Sequence, residues 1–425
     1  MSESSRSALF LFAAIAFFTG CPTSVSTDGG IDAGGGLNGG IDAGIGCVST
    51  GSVCAPGVPC CSASDVCDPL AGLCIPDAGS GGTTGGTSSG GTTGSTSGLP
   101  NDGAQWLEER VTSDVVALGA VVAPSPGLQL AAGNGPGVAQ ILVRSSDAGW
   151  TVVAGVPAAS ALLGLWADPR GDVFAVGLSD AGTALFVAGT LDGGLSSVNL
   201  DGGPAVQTLL SVVGLGPGEA LAVGDPVPPA PPVALHLLPD GGLTYESFPP
   251  ELTRAYRLAE GGGLVFALAD STDPTLPPWV LERSDGGWSL LPEIFSATNL
   301  VDLTVGPAGD VVLVGDDGNG NGLAYVLADG GFVPLATLPA VPALTAVSEP
   351  SPGEIFLAAA PSGAAAELFH LDGGIATGLW WLETLPADAA RVDSLAGDGA
   401  GSLYAVGLRA CSGCSGFPLA ARRLP

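Results

Sequence analysis

From about residue 104 onward, apolar residues come in short runs separated by Gly, Pro and Asp. Short runs that alternate, or stay apolar throughout, are the pattern of β-strands packed between neighbouring sheets. One unit reads as an apolar strand, a turn ending in Gly, a strand ending in a small residue, a loop, a third strand, Asp-Gly-Gly, and a fourth strand often opened by an aromatic residue. The stretch Leu162–Ala167, Asp168-Pro169-Arg170-Gly171, Val173-Phe174-Ala175-Val176-Gly177 shows the middle of this pattern.

The pattern repeats. The first-turn glycines are Gly127, Gly171, Gly218, Gly263, Gly309, Gly353 and Gly401, at spacings of 44, 47, 45, 46, 44 and 48. Six residues after each stands a small residue: Gly133, Gly177, Gly224, Ala269, Gly315, Ala359 and Gly407. The second-turn acid recurs at Asp147, Asp192, Asp240, Asp285, Asp329 and Asp372. Asp and Gly suit these hairpins because tight turns demand positive φ. Four strands in about 45 residues is the size of a propeller blade. The expected fold class is therefore all-β, a seven-bladed β-propeller over 104–425. A stacked solenoid is the alternative, with repeats that usually run shorter.

The seventh unit ends at Pro425 after three strands. Ala104–Val111 carries Trp106 where a fourth strand would carry its aromatic, as in Gly149-Trp150 and Gly287-Trp288. This segment is expected to complete the last blade, which would hide an open sheet edge. The turns Ser145-Ser146-Asp147-Ala148-Gly149-Trp150 and Arg283-Ser284-Asp285-Gly286-Gly287-Trp288 resemble a shortened Asp-box of sialidase-like propellers. That resemblance implies fold and carries no activity.

The N-terminus reads as an address. Residues 1–20 hold Arg6 and an eleven-residue apolar stretch from Ala8 to Phe18, too short to span a bilayer. Phe18-Thr19-Gly20-Cys21 resembles the lipobox of bacterial lipoproteins, with Phe18 in place of the more usual Leu. The resemblance implies lipidation at Cys21 and anchorage in the cell envelope, and Pro22 after the cysteine favours the outer membrane or cell surface. Residues 21–46 and 77–103 are rich in Gly, Ser, Thr and Asp and are expected to be flexible linkers.

Between the linkers, residues 47–76 hold six cysteines with the spacing C-x6-C-x5-C-C-x5-C-x6-C. So small a unit needs disulfides in place of a core, and six cysteines allow 15 connectivities. The adjacent pair Cys60-Cys61 and Gly72 before the last cysteine resemble the knottin framework. That resemblance implies Cys47–Cys61, Cys54–Cys67 and Cys60–Cys74. The module has no Lys, Arg or aromatic residue, so a spacer or small interaction knob is expected.

Charge narrows the partners. The chain has 41 acidic and 11 basic residues, all Arg, for a net charge of −30. That excludes a nucleic-acid partner, which needs a basic patch, and disfavours docking onto anionic lipid.

Several positions could carry chemistry. Seven residues after the first-turn Gly stand Asn134, Asp225, Asp270 and Asp316, with Asp273 and Asp317 close by. Propeller geometry puts this position on the face where ligands usually sit. The cluster could hold a hard cation or meet a basic partner, or each Asp could close its own turn, the favoured reading. Asp317-Gly318-Asn319-Gly320-Asn321-Gly322 opens like a calcium loop, making Asp316, Asp317, Asn319 and Asn321 candidate ligands, but Ala328 stands where the closing acid belongs. Cys411-Ser412-Gly413-Cys414 is expected to be a structural disulfide, Cys411–Cys414. His236 and His370 lie in third strands at different offsets from the following Asp, and are expected to be half-buried and unrelated. Arg254, Tyr256 and Arg257 are not tied to other arginines. No nucleophile elbow, phosphate loop or metalloprotease motif is present. The expected function is therefore a monomeric, non-enzymatic, lipid-anchored binding or scaffold protein for a protein, glycan or cation, with no cofactor save possible calcium. The alternative is an extracellular propeller enzyme acting on a polysaccharide or lactone.

Overall fold

The computed structural model describes residues 103–424 except 136, 146–148, 274, 286, 293, 295–296, 298, 329–330, 336–337, 361–364, 376–377 and 411–416, and also residues 65–68 and 73–76. Asp65–Asp68 and Leu73–Pro76 form a separate antiparallel hairpin with Cys67 opposite Cys74 in register. Cys21, Cys47, Cys54, Cys60, Cys61, Cys411 and Cys414 lie outside the described residues, and so do the lipidation and disulfides expected of them.

The main unit is a seven-bladed β-propeller. Blade 1 comprises Ala117–Ser125, Leu128–Gly135, Val138–Ser145 and Gly149–Val152. Blades 2 to 6 repeat this four-stranded antiparallel meander, beginning at Ala159, Val206, Leu252, Asn299 and Leu344. Blade 7 comprises Ala389–Gly397, Leu403–Arg409 and Phe417–Arg423, and its fourth strand is Trp106–Glu108. Trp106 pairs with Arg423 and Glu108 with Ala421. The same segment then runs on to blade 1, where Val111–Thr112 adds in parallel to Gly149–Val152. The start of the propeller segment thus stitches the last blade to the first.

Each first strand packs against the first strand of the next blade, and blade 7 against blade 1. Seven apolar clusters fill the seven gaps between blades. The strands read as continuous apolar runs because both faces of each sheet are covered.

The recurring small residue has a steric cause. Every first strand carries a β-bulge, with Gly119, Leu163, Leu210, Tyr256, Val301, Thr345 and Asp393 as the extra residue. The residue preceding each bulge pairs with the Gly or Ala found six positions after the first turn. A Cβ added at Gly224 would lie 1.9 Å from the Thr208 carbonyl oxygen, and one at Gly315 would lie 1.8 Å from that of Asn299. The bulge brings the inner strand's backbone close to this position, leaving room for a hydrogen in five blades and for no more than the methyl of Ala269 and Ala359 in the other two.

One end of the ring carries the turns between first and second strands. Glu349 there accepts a hydrogen bond from Gly353 N at 2.9 Å. Its other oxygen is buried against Gly306 without a hydrogen-bond partner. Burial pushes its carboxyl up to about 7 from 4.5, with Asp310 adding to the rise. A carboxyl held up in the fold stabilises fully below 4.5 and loses that contribution as pH rises through 7. Glu349→Gln is expected to gain about 2 kcal/mol over the parent at pH 8 and nothing at pH 4.5. Urea unfolding at the two pH values checks this; an equal difference at both would contradict it.

Candidate functional site

The loops joining second to third strands, and those joining blade to blade, share the opposite end of the ring. Val227 N bonds Ala205 O, Thr272 N bonds Glu251 O and Ala410 N bonds Asp388 O, tying the two kinds of loop together in blades 3, 4 and 7. All the sequence-nominated acids sit at this end.

Their side chains hold the face together. Asn134 donates to Leu162 O at 2.9 Å and accepts from Leu162 N at 2.7 Å, copying a backbone pair between blades 1 and 2. Arg254 bridges blades 3 and 4, with Asp270 at 2.6 Å and Asp225 at 3.5 Å. Burial raises the Asp225 carboxyl although Arg254 opposes the shift. Arg254 also lies over the Tyr256 ring at 5.5 Å. The Tyr256 hydroxyl, raised far above its usual value by burial, donates to Leu300 O of blade 5 at 2.7 Å. Arg257 pairs at 2.6 Å with Asp302, which also accepts from Val347 N of blade 6 at 3.0 Å. The arginines of blade 4 are therefore tied to acids of the neighbouring blades, links the sequence did not reveal.

Asp273 and Asp316 close turns. Asp273 accepts from Thr275 N and Oγ1, and Asp316 from Gly318 N at 2.7 Å and from Asn299 Nδ2. Asp317 accepts from Asn321 Nδ2 at 2.8 Å and from Asn319 N and Asn321 N. Those bonds, that from the Asn321 amide above all, hold its carboxyl down to about 2. The carboxylates of Asp316 and Asp317 thus accept bonds within their own turn, with Asn319 and Asn321 as donors to Asp317. Among the described residues no group of three or more His, Cys, Asp or Glu side chains converges as a metal cluster.

The histidines correct the expectation of unrelated positions. His236 pairs in register with Leu221 and His370 with Phe356, each two residues beyond a glutamate that opens the second strand. They occupy one structural position in blades 3 and 6. His236 lies 2.8 Å from Glu219 and 3.2 Å from Glu246 through its two nitrogens. His370 lies 3.4 Å from Glu354 and 3.3 Å from Glu383 in the same way. The next blade adds an arginine and a tryptophan to the second glutamate. Arg283 and Trp288 Nε1 reach Glu246 at 2.8 and 3.0 Å, and Arg423 and Trp106 Nε1 both reach Glu383 at 2.7 Å. A third version joins blades 7 and 1, where Arg422 takes the histidine's place beside Glu109 and Arg144. These are polar clamps between blades, set at the end of the ring away from the loop face.

Both nitrogens of His370 face carboxylates, the arrangement of an imidazolium. Burial disfavours that charge, but the hydrogen bonds it donates to Glu354 and Glu383 outweigh the penalty and hold the pKa up at about 9 against 6.5. The contribution to stability is complete below 6.5 and lost as pH rises through 9. Between pH 6.5 and 9 the parent is expected to lose Tm steadily, and His370→Gln to show a flatter profile. Parallel profiles across that window would contradict the charged assignment.

No known family model matches the sequence, and no curated protein does. Solved structures do match in shape. A streptogramin B lyase superposes with a TM-score of 0.57 at 11% identity over 76% of this chain and 97% of that one. An inactive variant of virginiamycin B lyase from Staphylococcus aureus, with quinupristin, gives 0.58 at 11% identity over 76% of this chain and 100% of that one. YCF48 bound to D1 peptide gives 0.52 at 12% identity over 77% and 99%. At such identities the likeness establishes the class, the seven-bladed β-propeller, and no activity.

Proposed function

We propose that the chain is an exported, lipid-anchored surface protein whose propeller is a binding or scaffold module for a protein, glycan or cation. The observation that carries this reading is the state of the loop face: its polar side chains are held by cross-blade and turn bonds before any ligand arrives. A surface preorganised in this way binds without a large ordering cost. Loops 226–233 and 271–279 add exposed apolar side chains there, Val227 at 41% and Leu276 at 37%. The two histidines are committed to clamps elsewhere in the ring.

Photocrosslinking residues placed at Val227 and Leu276 in the full chain test the reading in intact cells. Discrete adducts from these positions, absent from Leu290 and Val333 on outer strands, are expected; no adducts, or equal adducts at all four, would overturn it. For the anchor, mass spectrometry is expected to find a lipidated Cys21 at the mature N-terminus, and an unmodified Cys21 would refute it. The second reading, a hydrolase or lyase, draws on Asp225, whose carboxyl is raised beside Arg254 and Asp270. Turnover of a polysaccharide or lactone that Asp225→Asn abolishes would establish that reading in place of the first.

A further inference from the structure

The third clamp is short of one carboxylate. In blades 3 and 6 a glutamate opens the second strand two residues before the partner of the histidine, so two carboxylates meet one histidine and one arginine. In blade 7 the partner of Arg422 is Tyr404, and Ser402 stands where that glutamate belongs. Arg422 and Arg144 therefore share Glu109. Both oxygens of Glu109 accept from Arg144 Nε at 2.7 Å. Two donors of this clamp are left without an acceptor among the described residues. One is Arg422 Nε, 3.5 Å from Glu109. The other is Nε1 of Trp150, which pairs with Arg144 much as Trp288 pairs with Arg283. Asp398, the acid that acts on Tyr404 from the same turn, accepts from Ala400 N and Ser402 N and closes that turn.

An open pocket of about 580 Å³ lies beside this clamp, lined by Glu109, Arg110, Arg144 and Arg422 among others. Arg110 is exposed. Its carbonyl accepts from Trp150 N at 3.0 Å, which fixes its backbone at the pocket wall. Its guanidinium has no ion pair among the described residues. Glu108, which also lines the pocket, is committed to Arg409. Three arginines thus meet there with Glu109 as their one shared acid.

We infer that the pocket at the seam of blades 7 and 1 binds a carboxylate, held by the Arg110 and Arg422 guanidinium groups. A guanidinium matches a carboxylate in both charge and planar shape. The other two clamps set a carboxylate of the chain itself beside the cation of the third strand, and here a ligand supplies it. The net charge of −30 repels anions at long range. Physiological salt screens that field over about 8 Å, so the charges lining the pocket decide. The carboxylate comes either from a free small acid or from an acidic side chain of a partner protein. The pocket lies at the end of the ring away from Asp225 and Asp270, so it is independent of the loop face.

The test is titration of the full chain with sodium acetate against sodium chloride at matched ionic strength, followed by NMR shifts of the Thr112, Arg144, Thr151 and Arg422 amides. Saturable shifts with acetate, absent with chloride, are expected. Arg110→Gln breaks no contact of the fold and is expected to weaken binding about tenfold, the worth of one charge-assisted hydrogen bond. Arg170→Gln removes an exposed arginine of a blade 2 turn and is expected to leave the affinity unchanged. A capped peptide carrying one glutamate that binds more tightly than acetate assigns the site to a partner side chain, and equal affinity assigns it to a free acid. Absence of saturation, equal shifts with chloride, or the same affinity in Arg110→Gln as in Arg170→Gln would overturn the inference.

Discussion

Gly315→Ala is expected to cost about 1–3 kcal/mol, although it adds a single methyl group. The added Cβ would lie 1.8 Å from the Asn299 carbonyl oxygen and 2.8 Å from its carbon. Both atoms belong to the backbone of an inner strand. Relief requires shifting the Asn299–Asp302 backbone away, as the strands opposite Ala269 and Ala359 already stand to admit a methyl beside an intact bulge. Asp302 is the buried acid that holds Arg257 and Val347 N of the flanking blades. The strain therefore spreads to two interfaces. Gly127→Ala is the matched control. It is a marker of the same repeat, but nothing lies within 4 Å of its added Cβ and its φ is not positive. Its expected effect is within about 0.5 kcal/mol. Urea unfolding of the two variants checks the pair, and similar losses in both would refute the steric account.

Glu383→Ala is expected to cost about 3–5 kcal/mol, because it strands buried cations. The Glu383 side chain is fully buried and accepts from Trp106 Nε1 and Arg423 Nε, both at 2.7 Å, beside His370 Nδ1 at 3.3 Å. Trp106 opens the strand that closes the ring, so the same substitution loosens blade 7 at its outer edge. Glu246 makes the equivalent contacts to Arg283, Trp288 and His236 but is 18% exposed. Water can partly replace the lost charge there, so Glu246→Ala is expected to cost about half as much. Equal losses would show that burial does not set the scale.

Much of this fold was legible before the structure, for a physical reason. A tight turn and a bulge act on the backbone within a few residues, so their demands for Gly, Ala and Asp recur at fixed offsets and survive in the sequence as markers. Trp106 revealed ring closure because an outer-strand aromatic has a local signature next to its turn. The parallel addition of Val111–Thr112 left no such trace, since two residues paired across the seam carry no pattern. The clamps were hidden differently. They join side chains of different blades, and loops of unequal length move His236 and His370 to different distances from the second-turn Asp. Only the register with the second strand shows their equivalence. Counting placed Asn134, Asp225, Asp270 and Asp316 near the ends of their second strands, where the structure has them. Their partners, Leu162, Arg254 and Asn299, come from other strands, and counting along one strand says nothing about them.

The central claim is that the start of the propeller segment closes the ring and holds it as one body. Native-state hydrogen exchange on the intact chain tests this most directly. Glu109 N bonds Ala420 O at 2.9 Å, and Leu424 N bonds Gln105 O at 3.1 Å, across the closing seam. These two amides are expected to exchange only through global opening, with the same free energy as core amides such as that of Ala405. Exchange of Glu109 and Leu424 at the rates of frayed termini, while the Ala405 amide stays protected, would contradict it.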